Sequence, residues 1–214
     1  MLIQEEITMK NKHDPIFKQI LGEQWNDLGK VIQNHYFLKP YSDDYICVKG
    51  EMDEIYHSPI AKLLIPFGLL FGAIIPYNRK HVPIDVHYNS KPDNSKLYWD
   101  RVFKLSPTNE FHFKSHMEMQ SGNEVIEYVR FGVGMKLLVT AENGVLIFKD
   151  NGYVWKLFGV NIPIPINLIF GKAYIEERPI DDTNFSMKMI IKHPLFGDLF
   201  RYSGKFTFSS EGTK

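Results

Sequence analysis

The chain has 214 residues, with 25 Lys and Arg against 25 Asp and Glu, so its formal net charge is zero. That balance argues against a nucleic-acid binder, which carries a basic excess or stripe. Apolar residues at 44% and charged residues at 23% exclude wholesale disorder.

The opening MLIQEEITMKNKHD is poor in apolar residues and acidic early, unlike a secretory signal, so a cytoplasmic chain is expected. From Asp14 to Tyr36 the apolar positions Ile16, Phe17, Ile20, Leu21, Trp25, Leu28, Val31 and Ile32 recur at three- and four-residue steps, the helical signature. Asp14 is expected as the N-cap with Pro15 at the first helical position. Gly22 and Gly29 weaken the middle, which leaves one long helix or two short ones. Tyr45–Met52 alternates β-branched with polar residues and reads as a strand. Ile60–Pro76, IAKLLIPFGLLFGAIIP, is the most apolar run. Its 17 residues include Lys62, Pro66, Gly68 and Gly72, and a spanning helix needs about 20 apolar ones. A buried helix and turn is expected there, with interfacial membrane contact as the alternative.

From Val82 the pattern is strand after strand. VPIDVHY and KLYWDRVFKL flank a Lys91–Asn94 turn, and EFHFKSHMEMQ and EVIEYVRFG flank Gly122-Asn123. MKLLVTA and VLIFKD bracket Asn143-Gly144, while VLIFKD and YVWKLFG bracket Asn151-Gly152. Both Asn-Gly pairs read as hairpin turns, because a type I′ turn needs positive φ twice. A Pro-broken apolar loop, NIPIPINLIFG, precedes KAYIEERP, FSMKMIIKHP and FRYSGKFTF. At least eight strands joined by short turns predict a β-rich α+β domain spanning 1–214: a large, strongly curved antiparallel sheet or partial barrel with N-terminal helices packed on it. Its parts are a helical front at 14–36, a strand and apolar helix or turn at 45–76, and a meander at 82–208.

Several short motifs recur in a fixed order: Trp99-Asp100-Arg101-Val102-Phe103, then Val125–Gly132, then Trp155-Lys156-Leu157-Phe158-Gly159-Val160. Ala173-Tyr174-Ile175-Glu176 and His193-Pro194-Leu195-Phe196-Gly197 follow, with Arg201-Tyr202-Ser203-Gly204 behind them. This order, together with the opening FKQILGEQWNDLGKVIQNHY, resembles the bacterial family called domain of unknown function 4166, over Phe17 to Phe208. The Ile60–Pro76 run and the polar NRKHVP after it depart from the pattern. The resemblance implies an accessory or ligand-sensing domain, found alone or beside NAD(P)-binding domains and membrane segments. It supplies no catalytic residue.

Candidate chemistry is sparse. His112, Lys114, His116 and Glu118 share one strand face and have metal-ligand types, but clean alternation is also what a half-solvated strand shows, and no metal is expected. His81 and His87 have no ligand spacing. Cys47 is the only cysteine, so no intrachain disulfide forms; it reads as a small buried apolar residue. Gly132-Val133-Gly134 lacks the third glycine and following helix of a dinucleotide site, and no cofactor is expected. The set singled out for ligand binding is Trp99, Arg101, Glu127, Glu176, Arg201 and Tyr202. Trp99, Arg101 and Phe103 share a face; Glu127 shares one with Val125, Val129 and Phe131, where an unpaired acid is costly, so Arg101 is its natural partner. Such a cluster grips a head group at the mouth or floor of an apolar cavity, or it is a structural ion pair that sets register.

The leading expectation is non-catalytic binding of a hydrophobic or amphipathic, lipid-like small molecule. The alternatives are acid–base catalysis by Glu127 with Arg101, or a peripheral membrane or protein contact through Leu63, Leu64, Phe67 and Leu70. The irregular stretches around Pro163 and Pro165 and along Ile60–Pro76 flank a cavity entrance or plug a barrel end.

Overall fold

The alternation that runs through the sequence is realised as eleven strands: β1 Tyr45–His57, β2 Val82–Lys91, β3 Asn94–Ser106, β4 Asn109–Met119, β5 Glu124–Tyr128 and β6 Val133–Glu142, followed by β7 Val145–Leu157, β8 Val160–Ile164, β9 Lys172–Pro179, β10 Asn184–His193 and β11 Gly197–Thr213. The structure is a computed structural model that describes residues 14–213; segment 1–13, on which the cytoplasmic expectation rests, lies outside the described residues. Each strand from β1 to β7 pairs antiparallel with the next, β7 pairs with β9, and β11 returns to pair with β1. Ten strands therefore close into an antiparallel barrel, as the expected fold class has it, and β8 adds a short ribbon to β7.

One residue pair decides how β7 serves two neighbours. The Asn143-Gly144 hairpin turn is present, with φ of 52° and 85°. Asn151-Gly152 is not a turn, and that expectation is corrected: β7 runs straight through it. Met135 opposes Tyr153 while Leu137 opposes Asp150, so one residue of β6, Lys136, faces two of β7, Asn151 and Gly152, a β-bulge. Gly152 sits there at φ 101°, and its N–H donates to Asp150 Oδ1 at 2.8 Å. Before the bulge β7 pairs with β9, and after it with β8. The local twist hands one edge of a single strand to two partners in turn.

The front forms two short helices, α1 Ile16–Leu21 and α2 Lys30–His35, separated by a 3₁₀ stretch at Gly22–Asp27. The Asp14 cap is also corrected: Pro15 holds the N-cap position, and Asp14 instead accepts from Lys18 Nζ at 2.9 Å. A proline cap leaves the first amides without a side-chain acceptor, while the Lys18 contact lies one turn along. The helices carry Phe17, Trp25, Leu28, Val31 and Ile32 into the barrel core. They are tied to the β6–β7 turn by the Gly29 N–H on the Gly144 carbonyl (3.1 Å), so they plug one end.

The opposite end is built from the two irregular apolar stretches. Ala61–Leu63 is a 3₁₀ turn and Ile65–Phe71 is α3; Asn167–Phe170 is a single-turn helix, α4, between β8 and β9. Helix and turn are as expected for Ile60–Pro76, but burial is not: Leu63 is 74% and Phe67 63% exposed. Nothing among the described residues stacks on the outer face of α3, so only its inner face is covered. Gly68 permits that approach, since a Cβ there would lie 2.1 Å from Ile74 Cδ1. Among the described residues no helix is long and apolar enough to cross a membrane.

Candidate functional site

Strand alternation sends every second side chain inward, and ten strands leave more room inside than those side chains fill. A cavity of about 430 Å³ remains. Aromatic rings (Trp99, Phe103, Phe113, Phe148, Phe185) and the thioethers of Met52, Met117, Met135, Met187 and Met189 line it. Leu64, Phe67 and Phe71 from the α3 side and Ile166, Ile169 and Phe170 from the α4 side frame its outer end. Both irregular stretches thus border the cavity.

Three polar side chains meet on one wall. Arg101 on β3 donates from Nη2 to Glu127 Oε1 on β5 at 2.9 Å, and from Nη1 to Ser115 Oγ on the intervening β4 at 3.1 Å. The Ser115 hydroxyl donates to the same Glu127 oxygen at 2.7 Å. Register explains the meeting: Arg101 lies opposite Phe113 and Glu127 opposite Met117, so Ser115 sits diagonally between them. The guanidinium carbon lies 4.2 Å from the Trp99 ring centre and 4.9 Å from that of Phe113. Glu127, 8% exposed, is thus a buried acid whose charge is compensated.

A second buried carboxylate stands at the plugged end. Glu177 on β9 is 6% exposed and lines the cavity; its Oε1 accepts from the Tyr36 hydroxyl at 3.2 Å. His35 Nε2 lies 3.1 Å from Glu177 Oε2, close enough for an ion pair but without hydrogen-bond alignment. His35 Nδ1–H donates to the Val31 carbonyl at 3.3 Å, and the ring stacks on Phe185 at 4.4 Å. Burial, and the Glu177 charge after it, push the Tyr36 and Tyr88 hydroxyls well above the ordinary tyrosine range, so both stay protonated donors.

Of the six residues singled out from sequence, Trp99, Arg101, Glu127 and Tyr202 line the cavity. Tyr202 meets His57, hydroxyl to Nε2 at 3.3 Å. Glu176 and Arg201 sit elsewhere: Glu176 accepts from Arg178 and Tyr174, and Arg201 pairs with Glu54 across the Tyr56 ring. Each is on the opposite parity from its cavity-facing neighbour, Glu177 and Tyr202 respectively. Ser115, Glu177, His35 and Tyr36 lie outside that set of six. Parity held the signal for Glu177, because Ala173, Ile175 and Glu177 form the apolar face of β9.

The histidine strand shows no convergence. His112 pairs with Asp100 (3.0 Å) and His116 with Glu118 (3.4 Å) on the outside, and among the described residues no three His, Cys, Asp or Glu are placed to hold a metal ion. Cys47, expected to be buried, is half-buried on the outer parity of β1, since Ile46 and Val48 take the inward positions. Desolvation pushes its thiol up, away from the nucleophilic thiolate.

Residues 28–206 match the family described as a domain of unknown function, DUF4166. The chain belongs to that family. The DUF4166 match takes in α2, α3 and every strand as far as Phe206, and leaves α1 outside it. No curated protein is similar to the chain in sequence at a significant level. Among solved structures, an S-type phycobiliprotein lyase from Guillardia theta aligns at 5% identity with a TM-score of 0.38, over 78% of this chain and 87% of that one. A likeness that distant carries no functional argument.

Proposed function

We propose that this DUF4166 barrel is a binding protein for a hydrophobic or amphipathic small molecule of lipid-like chemistry. The observation that carries the reading is the cavity of about 430 Å³, apolar along its length with Arg101, Glu127 and Glu177 as its charged lining. Small-molecule sites run from roughly 300 to 1,000 Å³ and combine apolar walls with few polar groups. Thioethers on several strands let the walls repack around an alkyl or ring system. Arg101 uses two of its N–H groups on Ser115 and Glu127, which leaves three of the five a guanidinium carries for an acceptor-bearing head group.

Native mass spectrometry and organic extraction of the purified chain test this directly, alongside titration with the dye 1-anilinonaphthalene-8-sulfonate. Saturable dye binding that Ile175→Trp abolishes, by filling the cavity while keeping the fold, is the expected result. Dye binding unchanged in that variant, with no extractable molecule, would overturn the reading. Acid–base catalysis by Glu127 has less support: its Oε1 already accepts from both Arg101 and Ser115, and among the described residues no further side chain donates to it.

A further inference from the structure

The connections at the cavity's outer end combine exposed apolar side chains with basic charge, whereas the plugged end, which also exposes Phe37, Tyr41 and Ile180, is acidic. Five of them present exposed apolar side chains: Leu63 and Phe67 in the β1–β2 connection, Phe131 in the β5–β6 turn, Phe158 in the β7–β8 turn, Leu168 in α4 and Leu195 in the β10–β11 turn, while the short β3–β4 turn presents none. Together they form a discontinuous collar around the mouth. A soluble monomer rarely gathers large exposed apolar side chains from five separate connections at one end.

The same end is basic. Segments 58–81, 129–133, 157–172 and 192–197 contain no Asp or Glu, whereas Lys62, Arg79, Lys80, Arg130, Lys172 and Lys192 all lie within them and are exposed. None of the six has a carboxylate within 4.0 Å among the described residues. Acids bordering this end in sequence include Asp198, which follows Gly197 and pairs with Arg201 at 3.7 Å, and Glu110 at the start of β4. Lys62 and Arg79 also line a hollow on the flank of α3, with His57, Pro66 and Tyr77. Because the whole chain is neutral, these cations imply a matching excess elsewhere, and Asp43, Asp44, Asp93, Glu142, Asp181 and Asp182 supply it in the turns at the plugged end. The molecule is polarised along the barrel axis.

We propose that the mouth end docks on an anionic lipid bilayer, apolar collar in the headgroup region and basic residues on the phosphates. The charge distribution selects this occupant over a second copy of the chain, since mouth-to-mouth pairing brings two sets of like charges together. The docked orientation also turns the cavity toward the phase from which a lipid-like molecule enters, but the docking stands on the collar and the charges alone. Each Lys or Arg near an anionic surface contributes about fivefold in partitioning.

Co-sedimentation with phosphatidylcholine vesicles, with and without phosphatidylserine, tests the proposal. Partitioning is expected onto the phosphatidylserine vesicles only, weakened by added salt. Lys62→Ala with Lys192→Ala is expected to lower it about 25-fold, whereas Lys30→Ala with Lys39→Ala, at the plugged end, leaves it unchanged. Leu63→Ser with Phe158→Ser, changes at two exposed positions whose folding circular dichroism checks, is expected to abolish it even at low salt. Equal partitioning onto both vesicles, none onto either, or a dimer in sedimentation velocity that the serine pair dissolves would each overturn it. Dye binding to the cavity is measured without vesicles, so either proposal fails on its own.

Discussion

Replacing Arg101 by alanine removes a guanidinium 2.9 Å from Glu127 Oε1 and 3.1 Å from Ser115 Oγ. It strands a carboxylate that is 8% exposed and retains a single hydroxyl donor, Ser115. Truncating one member of a buried pair costs about 3–5 kcal/mol, because the surviving charge remains desolvated. Glu127 lines a cavity rather than a packed core, so the lower end applies, about 3 kcal/mol. Lost stacking on Trp99 and Phe113 adds about 0.5–1 kcal/mol. Urea unfolding of Arg101→Ala, Glu127→Ala and the double variant measures this as a cycle. The double variant is expected to be more stable than the sum of the singles implies, with a coupling of about 2 kcal/mol or more. A coupling near zero would refute the reasoning, since the short distances would then have no energetic content. Dye affinity in the same variants separates the two roles weighed for the pair: a register lock changes stability alone, and a ligand contact changes affinity as well.

Gly152→Ala meets no atom within 4 Å, so its effect isolates the φ of 101°; a destabilisation of about 1–3 kcal/mol in urea unfolding is expected, and none would mean that the bulge tolerates a side chain. Gly68→Ala drives a Cβ into Ile74 Cδ1, Cγ1 and Cβ; a loss of about 1–3 kcal/mol with faster dye release is expected if α3 closes the mouth. Burial holds the His57 imidazole below its ordinary value of 6.5. The unfolded chain therefore takes up a proton first as pH falls, and stability is lost from pH 6.5 down toward the depressed folded value. In His57→Gln the urea midpoint is expected to fall less between pH 7 and pH 5; an unchanged slope would remove His57 from the acid response.

Side-chain parity carried most of what the sequence could say. It placed Trp99 and Arg101 on one face and marked Glu127 as an acid needing a partner, because an inward carboxylate stands out among Val125, Val129 and Phe131. The same rule selects Glu177 on β9 and Tyr202 on β11, and rejects Glu176 and Arg201, which share their faces with Arg178 and Lys205. Parity reports a face and no neighbour. The Ser115 bridge depends on β4 lying between β3 and β5 at one register, and the approach of His35 to Glu177 joins residues 142 positions apart in the chain.

Closure is the step that local pattern does not contain, and the cavity follows from it. Read as a turn, Asn151-Gly152 divides β7 into two strands, each with one new neighbour, and the sheet acquires a free edge. As a bulge it keeps β7 whole, so that one strand carries β6 on one side and β9 then β8 on the other. The last link, β1 to β11, joins segments about 150 residues apart and is set by the inward parity of Ile46, Val48 and Met52 against Tyr202, Gly204 and Phe206. Barrel width grows with strand number, and about eight strands are just filled by their own side chains or hold one small ligand. With ten strands, even Trp99 and the phenylalanines and methionines pointing inward leave a cavity between them. The hollow is therefore a consequence of strand count rather than of small lining residues. A substitution that filled it without disturbing register would be expected to stabilise the barrel, in the way expected of a site shaped for an occupant rather than for packing.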